Sequence, residues 1–263
     1  MKWILFVLLF ALSAFAAEVV DSSKAQPNIP LPRQTAYTGK GLSVGIGAGA
    51  YKPTEDCDCV GNWQGQLEYF YTPNITAGID VRFLGGNLDS DVMIMYQRYR
   101  INLRVHKAFE SLDLYLEPIF GLENTDISEF REQVKAHKSS IRQDGWFTPM
   151  FPVDTTDADS ARGECEKMFS LDGFSLGIGA GAGYRLTELW GLTGSVLLEY
   201  NFSRAIQLTL TPGVALDLQR IWPWAKKNLR STWLSLEFGT QRFFNRGVEE
   251  WAAFGFLGFQ IGV

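Results

Sequence analysis

From Gly41 to the C terminus the chain alternates apolar and polar residues with a period of two, interrupted only at polar connections. A segment with this period has two different faces, the mark of a β-strand rather than a helix. In 41–51 one face reads Leu42, Val44, Ile46, Ala48, Ala50 and the other Ser43, Gly45, Gly47, Gly49, Tyr51. The pattern recurs over 63–71, 77–83, 93–106, 112–123, 174–185, 192–203, 206–218, 232–244 and 251–263, with Gln97 a misfit on the apolar face of its segment. The run GLSVGIGAGA beginning at Gly41 returns as GFSLGIGAGA at Gly173. About ten strands are therefore predicted, near the roughly 9–11 residues that a tilted membrane-crossing strand needs.

A soluble sandwich also alternates, but with charged residues turned to water. Here the apolar face recurs on almost every strand, and the opposite face mixes Gly, Ser, Thr and Gln with charges of both signs. Arg98, Arg100 and Arg104 face Asp113, Glu117 and Glu123 of the next segment, with Glu68, Asp80 and Arg82 before them. Buried charges must be paired, so these residues are read as an ion-pair network inside a closed barrel. Trp63, Tyr71, Phe83, Trp190, Phe202, Trp222, Trp224 and Trp251 sit toward strand ends, where interfacial aromatic girdles belong. The predicted fold is all-β, an antiparallel up-and-down transmembrane barrel of about ten strands, with eight or twelve as alternatives.

The flanks give the address. Residues 1–16 read as a signal peptide: Lys2, the apolar run WILFVLLFA, then Ala14-Phe15-Ala16 as a small-x-small cleavage pattern. Residues 17–40, with Pro27, Pro30 and Pro32, show neither period and are expected to be an extended periplasmic linker. The barrel is assigned to 41–263, with a long outer loop at 124–170. Two connections fit this topology badly, because the one around Ser203 to Ala205 is very short for an outer loop and 219–230 is long for an inner one. A formal net charge of −5 gives no electrostatic reason to expect nucleic acid.

With these features in view, the chain resembles the small bacterial outer-membrane β-barrel proteins. The likeness spans the signal peptide and 41–263 and is one of pattern, not of a functional motif. It implies residence in the bacterial outer membrane after export to the periplasm, with membrane lipid and the barrel assembly machinery as partners. Chains of this family usually close on an aromatic residue that the machinery reads; this one ends Leu257, Phe259, Ile261, Val263. The role implied is envelope-structural, or surface interaction through the outer loops with an unidentified extracellular ligand. The alternative is a barrel enzyme acting on lipid or peptide at the outer rim.

Chemistry is thin. His106 falls at the inner end of its strand and is assigned to the lumen network; His137, in the long loop beside Ser139 and Ser140, reads as a solvated histidine. Asp154, Asp157 and Asp159 lack an EF-hand spacing and read as an acidic loop. The GIGAGA runs lack GK[ST], so they are small residues of a barrel wall. No catalytic residue, metal site or cofactor is assigned. A bridge between Cys57 and Cys59 would be strained, so Cys165 is expected to pair with one of them, which one being open. Trp146, Phe147, Met150 and Phe151, an apolar cluster in an acidic loop, form the candidate surface-interaction loop.

Overall fold

The computed structural model of the chain describes residues 28–33, 35–54, 57–89, 92–129, 171–203, 205–244 and 251–263. Two short strands, β1 (Ile29–Leu31) and β2 (Thr35–Tyr37), pair as a hairpin. Ten long strands follow: β3 (Gly41–Lys52), β4 (Val60–Thr72), β5 (Ile75–Asp89), β6 (Val92–Ala108), β7 (Leu112–Glu129), β8 (Gly173–Arg185), β9 (Trp190–Asn201), β10 (Ala205–Asp217), β11 (Ser231–Phe244) and β12 (Trp251–Gly262). Each pairs antiparallel with its neighbour in sequence, and β12 pairs with β3 to close a ten-stranded barrel. Closure leaves no unpaired sheet edge. At the seam, Leu42 and Val263 exchange backbone hydrogen bonds of 3.1 and 2.8 Å.

The alternation sorts residues onto the two faces as pleating requires. Ile46, Trp63, Ile101, Phe120, Phe174 and Leu257 stand exposed on the outside, while Glu68, Asp80, Arg104, His106, Asp113 and Glu237 are fully buried within. Gln97 lies on the outer face, where its amide carbonyl accepts from the Tyr99 hydroxyl at 3.1 Å. The aromatic residues expected at the strand ends, Trp63, Tyr71, Phe83, Trp190, Phe202, Trp222, Trp224 and Trp251, are all exposed.

Both connections that fitted badly exist, and neither changes the strand count. β9 and β10 are joined by a tight turn in which the Asn201 side chain accepts the Ser203 backbone N–H at 2.7 Å. The other joins β10 to β11 through a 3-10 turn (Leu218–Arg220) and a short helix, α1 (Pro223–Asn228), which Pro223 opens. The end of the barrel carrying α1 and the turns at Pro73, Ser111 and Thr187 is here the base; the opposite end is the mouth.

Two boundaries differ from expectation. The long loop begins later, because β7 stays paired to β6 from Asn124↔Gln97 through Glu129↔Val92. Backbone hydrogen bonds extend a ladder without an apolar face to advertise it. The larger difference is at 17–40. The described part is no extended linker: the β1–β2 hairpin lies inside the barrel, with Ile29, Leu31, Ala36 and Tyr37 all at most 2% exposed. Strands of three residues are too short to display a period, and the prolines that suggest an extended chain are compatible with a hairpin paired only to itself.

The lumen is thus filled in three layers. At the base, Ile29, Leu31 and Tyr37 pack on Phe70 and Tyr115, and Ala36 on Ala215 and Trp233. Charged residues occupy the middle. Toward the mouth lies an apolar cap that includes Tyr51, Leu84, Tyr96, Leu171, Phe243, Phe254 and Phe256. The expected signal peptide (1–16), residues 17–27, His137, the Trp146, Phe147, Met150 and Phe151 cluster, Asp154, Asp157, Asp159 and Cys165 lie outside the described residues.

Candidate functional site

The hairpin is seated by missing side chains on the wall. The inward positions of β8 include Gly179, Gly181 and Gly183. A Cβ would meet the Glu117 carboxylate at the first, the Tyr115 ring at the second and the Pro30 carbonyl oxygen, 1.9 Å away, at the third. Across the β8–β9 ladder, a Cβ on Gly191 would come within 2.4 Å of Pro30 Cγ. The GIGAGA repeat on β8 therefore makes room for two neighbouring lumen side chains, and Gly183 and Gly191 make room for the hairpin.

The hairpin is then tied at both ends. At the base, the Asn28 amide donates to Asp217 and Gln219 at 2.9 and 3.1 Å, and Trp233 Nε1 donates to Asn28 at 2.8 Å. The Tyr37 hydroxyl donates to the Pro73 carbonyl at 3.0 Å, and burial holds this phenol above its usual range, with Asp113 adding to the effect. At the tip, Arg33 occupies the left-handed region with φ 61°. Side chains rarely adopt that conformation, and here two contacts hold it. The Arg33 backbone N–H donates to Glu237 at 3.1 Å, and its guanidinium pairs with Glu117.

Arg104 is the hub of the lattice. It donates from Nη1 to Glu68 at 2.8 Å and to Thr35 of the hairpin at 2.9 Å, and from Nε to Glu117 at 2.9 Å. Its guanidinium also lies 4.6 Å from the centre of the Tyr115 ring. Glu117 therefore holds two arginines, one from the wall and one from the hairpin. A second chain runs from Asp113 to His106 Nδ1 at 2.7 Å, from His106 Nε2 to the Thr76 hydroxyl at 3.0 Å, and from that hydroxyl to Glu68. Carboxylate, imidazole and hydroxyl in series have the composition of a catalytic triad. The imidazole is fully buried, however, under Tyr37, Phe70 and Tyr115, with ring centres 5.4 to 6.0 Å away. The four residues lie on β7, β6, β5 and β4, so the chain ties neighbouring wall strands to one another.

All eight residues read as lumen ion pairs, Glu68, Asp80, Arg82, Arg98, Arg100, Arg104, Asp113 and Glu117, lie buried on the inner face. Their pairings differ from the neighbour-strand expectation. Arg104 reaches Glu117 as anticipated, whereas Arg98 turns back to Asp80 at 3.8 Å and Arg100 pairs with Glu199 across the lumen. Glu123, directly opposite Arg98 in the ladder, instead accepts from the Tyr96 hydroxyl and from Gln207. Long side chains in a narrow lumen bond across it as readily as along the wall. Glu199 and Glu237 were legible from strand phase, in register with Thr193, Ser195 and Asn201 and with Ser235 and Gln241. For Arg33 and Thr35 the sequence carries no signal.

Arg82 stands apart from the lattice. Its Nε donates to Asn62 at 2.9 Å, and its guanidinium lies 4.9 to 5.5 Å from the ring centres of Tyr51, Phe254 and Phe256. Between these rings and the hairpin tip is a cavity of about 20 Å³, bordered by Arg33, Arg82, Arg98, Arg100 and Glu237 among others.

Of the thiols, Cys57 is disulfide-bonded and Cys59 is free and exposed. Among the described residues, no group of three or more His, Cys, Asp and Glu side chains is arranged to hold a metal ion.

No described protein family matches the chain, and neither does any curated protein. Among solved structures, it is similar to the outer membrane protein OprG of Pseudomonas aeruginosa at 11% identity, over 89% of this chain and 100% of that one, with a TM-score of 0.38. Neisserial surface protein A is similar at 9% identity over 85% and 97%, with a TM-score of 0.37. Ail of Yersinia pestis is similar at 9% identity over 84% and 99%, with a TM-score of 0.34. At these identities and scores the likeness says nothing of activity or ligand.

Proposed function

We propose that the protein is an integral barrel of the bacterial outer membrane that works without catalysis, through the loops at its mouth. The observation that carries this is the sorting of residues on a closed barrel. The exposed face of its strands is dominated by large apolar side chains, while most of the charged residues of those strands turn inward, where several pair. In water that arrangement would be an aggregation hazard; in a bilayer it is the stable one. Exposed tryptophans support it, since Trp63 and Trp251 near the mouth and Trp190, Trp222 and Trp224 at the base stand where lipid headgroups would lie. Membrane lipid and the barrel assembly machinery are then its partners.

The hairpin, the ion-pair lattice and the apolar cap leave the lumen little space, so the reading is of a scaffold and not a conduit. The segment containing Trp146, Phe147, Met150 and Phe151 is the part assigned to surface interaction, with a role in envelope structure as the other use of the same scaffold. Fractionation of cells producing the full chain tests the location. Recovery with the outer membrane, and a gel shift on boiling, are expected; a soluble protein with no heat shift would overturn it. Deleting 140–159 should preserve the heat shift and remove binding to host surfaces or neighbouring cells. Loss of assembly in that variant would make the loop structural.

A further inference from the structure

We propose that the cavity between the hairpin tip and the apolar cap is a binding site for one small monovalent anion of about chloride size, held by Arg82 and Arg98. The two arginines are direct cross-strand partners on β5 and β6, both pointing inward and at most 4% exposed. Like charges directly opposite one another on a sheet are destabilising, and burial removes the water that would screen them. The carboxylates do not resolve this. Arg82 has no carboxylate within 4.0 Å among the described residues. The nearest to Arg98 is Asp80, whose Oδ1 lies 3.8 Å away, beyond hydrogen-bond distance, while its Oδ2 accepts from Gln64 at 2.8 Å. Glu199 is taken by Arg100, and Glu237 receives the Arg33 backbone N–H.

Unused donors border the same space. Arg82 Nη2, Arg98 Nε, and Arg33 Nε and Nη1 are all buried with no hydrogen-bond partner. The three rings around Arg82 cradle its cation, which offsets part of its desolvation but uses none of its in-plane N–H groups. A water could take a hydrogen bond here but would leave Arg82 without a counter-charge and Arg98 with only its 3.8 Å contact to Asp80; an anion answers both needs. Size then selects the anion. A cavity needs roughly 10–15 Å³ to hold one water, so about 20 Å³ has room for one small ion and favours a halide over the bulkier sulfate or phosphate.

The test uses the full-length folded barrel in detergent. Crystals grown in sodium bromide should show an anomalous peak between the Arg82 and Arg98 guanidinium groups. Unfolding should be slower in sodium chloride than in sodium sulfate of equal ionic strength. At chloride ten times its dissociation constant the folding equilibrium should shift about tenfold. Arg82→Gln should abolish the difference between the two salts. No bromide peak together with equal stability in both salts would mean that water alone fills the site, and equal stabilisation by sulfate would refute the size argument. Should Arg82→Gln fail to fold, the bromide measurement on the unaltered protein decides the matter by itself.

Discussion

Replacing Gly183 by alanine tests the seating of the hairpin with one methyl group. The new Cβ would sit 1.9 Å from the Pro30 carbonyl oxygen, 2.9 Å from Ile29 Cγ2 and 3.1 Å from Leu31 Cδ2. The nearest of these is backbone, so no side-chain rotation relieves the clash, and the hairpin has to move off the wall. Overpacking of this kind costs about 1–3 kcal/mol. If the cost falls on the docked hairpin and not on the barrel, the undocked population rises roughly 5- to 150-fold. Trypsin reads that population, because Arg33 at the tip is buried while docked and cleavable when released. Gly194→Ala is the control, on β9 next to β8, where an added Cβ meets nothing within 4 Å. Cleavage after Arg33 should accelerate by that factor in Gly183→Ala alone, with the heat-modifiable barrel intact in both. Equal, slow cleavage of both variants would show that the hairpin is not held against β8, and the account of the glycine row would fall.

Glu117→Gln strands the Arg33 guanidinium and leaves Arg104 with Glu68 alone, so a loss of about 3–5 kcal/mol is expected in denaturant unfolding. Glu188→Gln, which removes an exposed partner of Arg220, should cost less than about 1 kcal/mol in the same assay. Without reductant, Cys59 should take up a maleimide and Cys57 should not; mass spectrometry of the labelled peptides that found Cys57 modified would contradict the pairing. In planar bilayers the intact protein should show no steady porin-sized conductance, because the hairpin, the lattice around Arg104 and the cap around Phe254 and Phe256 fill the lumen in series.

Period-two alternation is a local property, so each of the ten barrel strands could be read from its own residues. Pleating alone sends Arg98, Arg100 and Arg104 to one face and Tyr99, Ile101 and Leu103 to the other. The inward charges and the apolar outer face followed from the same phase. Which charges meet was not legible. Arg100 and Glu199 are 99 residues apart and touch only because closure brings β6 and β9 across a narrow lumen. The hairpin was hidden for a related reason. Its three-residue strands carry no period, and its place depends on a gap that Gly183 and Gly191 open in a wall far along the chain. Sequence therefore determined which way each strand residue faces, since that depends on nearest neighbours along the backbone. Only the closed barrel decided what fills the lumen, because the lumen does not exist until β12 meets β3.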